Sequence, residues 1–248
     1  MTSQFEGKVV LITGGNSGIG LATARAFKAE GARIAITGRD PKTLKTAQEE
    51  LGRDALVVQS DAASVADAER LVAAVRDRFG RLDVIFINAG VGKFVPFDQS
   101  SEELFDETFA INIRGAYFLV QKALPLLGPG SAIVLNATTA IAMGMPGSSI
   151  YTASKAALAS LARTLAAELA ERGIRVNVVN PGPITTPILG RMGLPKEALD
   201  QVKESIRVQV PLKRFGDADD IAAAVLYLAG AGYVTGTELF VDGGMSRV

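Results

Sequence analysis

Thr13-Gly14-Gly15-Asn16-Ser17-Gly18-Ile19-Gly20 closes an apolar run that begins at Val9 and leads straight into a helical pattern. A strand, a glycine-rich turn and a helix start, in that order, make an anion site. The first N–H groups of a helix have no intrahelical partner, and the helix dipole is positive at that end. Glycine lets the backbone turn tightly and approach a pyrophosphate without a Cβ in the way. The spacing of Gly14, Gly18 and Gly20 is not the common G-x-G-x-x-G, so the turn alone also suits an ordinary glycine turn. Its place after the first strand favours a phosphate of a dinucleotide.

Outward from this turn, short β-branched runs at 9–13, 33–37, 55–59, 84–88, 132–137, 175–180 and 238–241 alternate with longer stretches of helical period. The helical stretches include 18–30, 41–51, 64–79, 101–127 and 151–172. Apolar strands without inside–outside alternation belong to a parallel sheet covered on both faces. The expected fold is therefore α/β: a doubly wound, parallel, seven-stranded, Rossmann-like sheet with helices on both faces. It forms one domain over 1–248, with a substrate loop around 187–207. Asp40 before Pro41, and Ser101 before Glu102 and Glu103, read as helix N-caps.

Composition narrows the chemistry. Lys plus Arg (26) equals Asp plus Glu (26), so no net field recruits nucleic acid or an anionic membrane, and small molecules or copies of the chain are the expected partners. The chain has neither cysteine nor histidine, which removes thiol catalysis, the usual zinc ligands and Ser-His mechanisms. No bound metal is expected. Residues 1–7 lack the charged-then-apolar order of a signal peptide, and no apolar run approaches the roughly 20 residues of a membrane span. A cytoplasmic protein is expected.

The second strand ends in Thr37-Gly38-Arg39, where dinucleotide folds read the adenosine ribose. A carboxylate there selects NAD, and a nearby arginine accommodates the 2′-phosphate of NADP. Arg39 favours NADP(H), whereas Asp40, the competing carboxylate for NAD(H), is better placed as an N-cap.

Tyr151 and Lys155 stand at i and i+4 at the start of a helical stretch and so share one face. A cation about 5 Å from the phenol, at an effective dielectric near 20, favours phenolate by roughly 3 kcal/mol. That is about two pKa units below the ordinary value near 10, which brings proton transfer within reach of neutral pH. In isolation, the same spacing also describes a partly buried tyrosine beside a solvated lysine.

Taken together, the T-G-x-x-x-G-I-G turn, Asn88-Ala89-Gly90, Asn112, Tyr151, Lys155 and Pro181-Gly182 resemble the short-chain dehydrogenase/reductase family over essentially the whole chain, and in particular its bacterial 3-oxoacyl-carrier-protein reductase-like carbonyl reductases. The resemblance implies hydride transfer between NADP(H) and a carbonyl or secondary alcohol. It makes Tyr151 the general acid/base, Lys155 the residue that tunes the phenol and holds the nicotinamide ribose, and Asn112 the holder of a relay water. Gly14, Asn16, Ser17, Gly18, Ile19 and Gly20 fall in the phosphate turn. Asp61 and Ala62 fall at the adenine, Asn88, Ala89 and Gly90 at the adenosine ribose, and Pro181, Gly182, Ile184 and Thr186 at the carboxamide.

Two positions depart from the family pattern. Thr138 stands where the family usually has the serine that holds the substrate oxygen. Its hydroxyl can still donate, although its methyl stiffens χ1. Thr139 and Asn136 are weaker stand-ins. Ile87 replaces the first asparagine of N-N-A-G, a change that touches the scaffold rather than the chemistry.

Substrate contacts are expected from 91–97, 140–150 and 187–207, beyond the strand ends. Phe94, Ile141, Met143 and Met145 suit an uncharged carbonyl compound, while Arg191, Lys196, Lys203 and Arg207 leave an acidic substrate open. The resemblance also implies a homotetramer joined through 101–127, 151–172 and the C-terminal Val241-Asp242-Gly243-Gly244. An NAD-dependent sugar or alcohol dehydrogenase and a non-catalytic dinucleotide sensor are the alternatives. Enoyl reduction is disfavoured, because relatives that perform it space Tyr and Lys more widely.

Overall fold

Strand β1 (Val9–Ile12) is buried along its whole length, with Val9 and Leu11 in one hydrophobic layer and Val10 and Ile12 in the other. Side chains that alternate between two covered faces produce an unbroken apolar run in the sequence. The computed structural model describes residues 3–185 and 196–248. Thr186 and the 187–195 part of the expected substrate loop lie outside the described residues.

The other strands are β2 (Arg33–Gly38), β3 (Leu56–Gln59), β4 (Leu82–Ile87), β5 (Leu127–Asn136), β6 (Arg175–Pro181) and β7 (Glu238–Val241). They form one seven-stranded parallel sheet in the order β3-β2-β1-β4-β5-β6-β7. One face is covered by α3 (Val65–Phe79), α5 (Gly115–Ala123) and α6 (Ser149–Leu169), and the other by α1 (Gly18–Ala29), α2 (Pro41–Leu51) and α8 (Ala218–Gly230). The doubly wound fold is the one expected.

The N-caps behave as their chemistry requires. Asp40 accepts from Lys42 N at 2.9 Å, and Ser101 accepts from Leu104 N at 3.2 Å.

Three features differ from the reading of the sequence. The stretch 101–127 is not one helix: α4 (Glu102–Phe109) passes through a π-turn at Ala110–Arg114 into α5. Apolar residues continue through the turn, and the single helical stretch read from the sequence did not mark it. Two helices, α7 (Lys196–Gln209) and α8, were not among the stretches named. For α8 a signal existed, since Asp217 and Asp220 form a capping box. β5 also begins five residues early, at Leu127, across a register shift opposite Leu82 and Val84.

At the head of α5, a Cβ on Gly115 would lie 1.7 Å from the Ala62 carbonyl oxygen. Gly115→Ala is therefore expected to destabilise the fold by at least the roughly 1–3 kcal/mol typical of overpacking. Thermal melting checks this, and an unchanged midpoint would refute the close approach.

Candidate active site

The chain winds from β1 through β2 to β3 toward one edge, then returns to place β4 on the other side of β1. At such a switch point the loops beyond the carboxyl ends of the strands part, and a crevice opens between them. A cavity of about 550 Å³ lies there. Into it come Gly14, Asn16, Ser17, Gly18 and Ile19 from the turn after β1, Arg39 from the end of β2, and Asp61 and Ala62 from the end of β3. Asn88, Ala89 and Gly90 follow β4, Thr138 follows β5, Tyr151 and Lys155 come from α6, and Pro181, Gly182 and Ile184 end β6. Gly20 and Asn112 do not line the cavity.

Gly20 acts from beneath. A Cβ there would lie 2.3 Å from Gly14 O, so the first turn of α1 packs directly under the glycine turn. Gly14 itself has φ +62°, a conformation that other residues rarely adopt. Gly15 N donates to Thr37 O at 2.9 Å and Gly14 N to Thr37 Oγ1 at 3.3 Å, which pins the turn to the end of β2. From the other side, Thr13 Oγ1 accepts from Asn88 N and Ala89 N, both at 2.9 Å. Asn88 Nδ2 returns to Thr13 O at 3.0 Å. The buried pair Thr13 and Thr37 was not singled out as functional, and no sequence signal separates such threonines from core packing. Ser17, the N-cap of α1, makes no side-chain hydrogen bond to the helix.

At the ribose end, Arg39 is exposed, and among the described residues no side chain or carbonyl takes its guanidinium. The Asp40 carboxylate is occupied by the Lys42 N–H. Asn16 lies over Gly38, where a Cβ would be 2.5 Å from Asn16 Cγ, and Asn16 Nδ2 donates to Thr43 Oγ1 at 2.7 Å. One Asp61 oxygen accepts from Ala63 N at 3.0 Å.

At the opposite end, Lys155 is buried at 4% exposure and donates from Nζ to Asn136 O at 2.7 Å. Burial lowers its pKa from 10.5 to about 8. Burial raises the Tyr151 phenol, and a hydrogen bond with the Thr138 side chain offsets only part of that rise. The expectation of a lowered phenol pKa thus fails for the protein alone. The lysine is spent on a backbone carbonyl, and desolvation dominates at the phenol. A phenol that holds its proton at neutral pH is a proton donor.

The π-turn places Asn112 beside this pair. Asn112 is 2% exposed, and its side chain joins three segments. Oδ1 accepts from Val91 N at 2.9 Å, while Nδ2 donates to Val91 O at 3.0 Å and to Ser154 Oγ at 2.9 Å. A Cβ on Gly90 would be 3.0 Å from Lys155 Nζ and 3.1 Å from Asn112 Oδ1, which accounts for glycine there.

The loop carrying Thr138 is anchored by a residue not read as functional from the sequence. Asp242 Oδ2 accepts from Thr139 Oγ1 at 2.6 Å and from Ser246 Oγ at 2.6 Å, and Oδ1 accepts from Gly244 N at 2.9 Å. Burial pushes this carboxyl up, but the hydrogen bonds from Ser246, Thr139 and Gly244 outweigh it and hold the carboxyl below its ordinary value. Thr139 is thereby committed to the C-terminal segment, leaving Thr138 to face Tyr151. Thr138→Ser is expected to retain turnover, and Thr138→Ala to lose at least about tenfold, since one hydrogen bond to the reacting oxygen goes. Equal kcat/KM in all three proteins would remove Thr138 from the site.

The cavity suits a nicotinamide dinucleotide on its own geometry. It offers a helix N-terminus without a side-chain cap, glycines where a Cβ would collide, a free arginine at the ribose end and a Tyr–Lys pair at the other.

Comparison with known proteins agrees. A family model described as enoyl-(acyl carrier protein) reductase matches residues 14–246. The chain is 39% identical to an L-rhamnose 1-dehydrogenase (NAD(P)(+)) of Azotobacter vinelandii, over 96% of each chain. It is 37% identical to a levodione reductase of Leifsonia aquatica, over 99% of this chain and 96% of that one. A crystal structure from Brucella melitensis, described as a short-chain dehydrogenase/reductase and glucose/ribitol dehydrogenase, superposes with a TM-score of 0.92 at 36% identity over 99% of both chains. The chain belongs to the short-chain dehydrogenase/reductase family of NAD(P)-dependent oxidoreductases.

Proposed function

We propose that this enzyme is an NADPH-dependent reductase of ketones or aldehydes, with Tyr151 as proton donor. The observation that carries the reading is the Tyr151 phenol lining one cavity with Thr138, the buried Lys155 and the glycine turn.

A bound nicotinamide dinucleotide would supply the hydride. Gly14, Asn16, Ser17, Gly18 and Ile19 would hold its pyrophosphate with the backbone N–H groups at the head of α1. Asp61 and Ala62 would meet the adenine, and Asn88, Ala89 and Gly90 the adenosine ribose. Pro181, Gly182 and Ile184 would orient the carboxamide, and Thr186 is proposed to join them from outside the described residues. Thr138 and Tyr151 donate hydrogen bonds to the substrate oxygen, and Tyr151 then releases its proton to that oxygen. Lys155 stabilises the phenolate left behind and reaches the ribose hydroxyls. Asn112 would hold the relay water that refills the phenol.

Selection of NADPH is proposed to rest on Arg39, supported by its free guanidinium and by the commitment of Asp40 to capping. Arg39→Ala is expected to weaken NADPH binding at least about tenfold while leaving NADH within about twofold, as loss of a charge-assisted phosphate contact implies. Titration of nicotinamide fluorescence checks this. An equal loss for both dinucleotides, or a wild-type preference for NADH, would transfer the ribose contact away from Arg39 and favour the NAD-dependent dehydrogenase reading.

A homotetramer in the cytoplasm completes the proposal. Its support is the outer edge of β7, which pairs with no further strand among the described residues, together with Phe105, Tyr117, Tyr227 and Tyr233 left exposed on the surface. A monomeric mass by light scattering would reject it. No helix among the described residues is long and apolar enough to cross a membrane.

A further inference from the structure

Part of the cavity lining is apolar. Phe94, Met143, Met145, Ile206 and Met245 line it together with Tyr151. Two of them are largely open to solvent, Phe94 at 52% exposure and Met145 at 41%. Large apolar side chains left in water around a reactive centre gain most from a ligand that covers them. Phe94 stands edge-on to Tyr151, with ring centroids 5.6 Å apart and planes at 65°. A Cβ on Gly92 would lie 3.3 Å from Tyr151 Cε2 and 3.8 Å from Phe94 Cζ, so this glycine keeps the space beside both rings clear.

Two cations adjacent in sequence to lining residues are already paired. Lys93 pairs with Glu107 at 2.5 Å, and Arg207 pairs with Glu204 at 2.5 Å while also donating to Lys213 O at 3.0 Å. Thr139 is held by Asp242. Thr138, Tyr151 and Lys155 line the same cavity, and the first two serve the reacting oxygen. Phe94 and the methionines offer neither hydrogen bonds to the remaining hydroxyls of a sugar nor charge to a carboxylate or phosphate.

We infer that the substrate is an uncharged cyclic ketone, alicyclic or aryl-fused, whose ring lies against Phe94 and the methionines with its carbonyl toward Tyr151 and Thr138. The inference rests on the reductase reading and refines it. In the reaction the carbonyl carbon receives a hydride, with its two electrons, from the reduced nicotinamide, and the carbonyl oxygen receives the proton of Tyr151. The ketone is reduced to a secondary alcohol, the dinucleotide is oxidised, and a solvent proton restores the phenol. Phe94 is the residue that sets specificity.

The test is steady-state reduction, with NADPH and with NADH, of α-tetralone, of D-xylose and of phenylpyruvate, together with oxidation of the corresponding alcohols. Phenylpyruvate keeps an aromatic ring but adds a carboxylate, so it separates charge from shape. The expected result is a kcat/KM for α-tetralone at least about thirtyfold above the other two. Phe94→Ala is expected to raise the KM for α-tetralone about tenfold with a smaller change in kcat, and Phe94→Leu to recover most of that loss. A preference for D-xylose or phenylpyruvate overturns the inference and leaves the oxidoreductase reading intact. An unchanged KM in Phe94→Ala overturns the role of Phe94. Absence of turnover with every compound, with either dinucleotide and in both directions, overturns the reductase reading and the substrate class with it.

Discussion

Tyr151→Phe is expected to lower kcat by about 10²–10⁴-fold, the range for loss of a positioned general acid. The substitution removes only the hydroxyl, so the ring keeps its contact with Phe94 and its place beside Gly92. Dinucleotide affinity should therefore stay within about twofold, because a single neutral hydrogen bond at this end contributes little to binding. Stopped-flow reduction at saturating dinucleotide separates the two quantities. The raised phenol pKa adds a direction to the result. Below the phenol pKa the residue is neutral and carries its proton, so reduction in wild type should hold steady across neutral pH and fall only as the medium becomes alkaline. A Phe variant that turned over near the wild-type rate would place the proton donor elsewhere.

The second large effect concerns Lys155, whose removal should cost activity and add stability. The folded protein holds this lysine at a pKa of about 8, whereas an unfolded chain titrates it near 10.5. Between those values the unfolded state keeps a proton that the folded state has released, so raising the pH favours folding. Below about pH 8 the buried ammonium carries its full desolvation cost, on the order of 3 kcal/mol. Lys155→Met removes that cost and leaves Asn136 O without its donor, which takes back part of the gain. The ligand-free variant should melt about 5 °C above wild type at pH 7, and the difference should shrink as the pH approaches about 10. Activity should fall by at least about 10²-fold, since the phenolate formed at Tyr151 loses its cation. A variant that is inactive and less stable at pH 7 would show that Lys155 supports the fold rather than straining it. Strain of this kind, kept for chemistry, is a common cost of function.

The doubly wound sheet was legible because its strands are covered on both faces, and that burial writes continuous apolar runs such as Val9–Ile12 into the sequence. Asp40 and Ser101 were legible as caps because a cap is a local event, completed within three residues. The glycine turn and the Tyr–Lys pair were legible as a set through their order along the chain, and seventeen of the nineteen site residues named from the sequence that lie among the described residues line one cavity.

What the sequence determined by itself was the identity and order of these groups: a phosphate turn, an arginine after β2, a phenol one helical turn from an amine. The tertiary structure decided their states. It turned Lys155 onto a backbone carbonyl and half-buried Tyr151, reversing the expected direction of the phenol pKa, because desolvation depends on everything packed around a group and not on its neighbours in sequence. It placed Asn112 in a π-turn, between the two helices that the sequence reading had joined into one. It also spent Thr139 on Asp242, 103 residues away, and so left Thr138 facing Tyr151, a division of labour that only a folded chain can make.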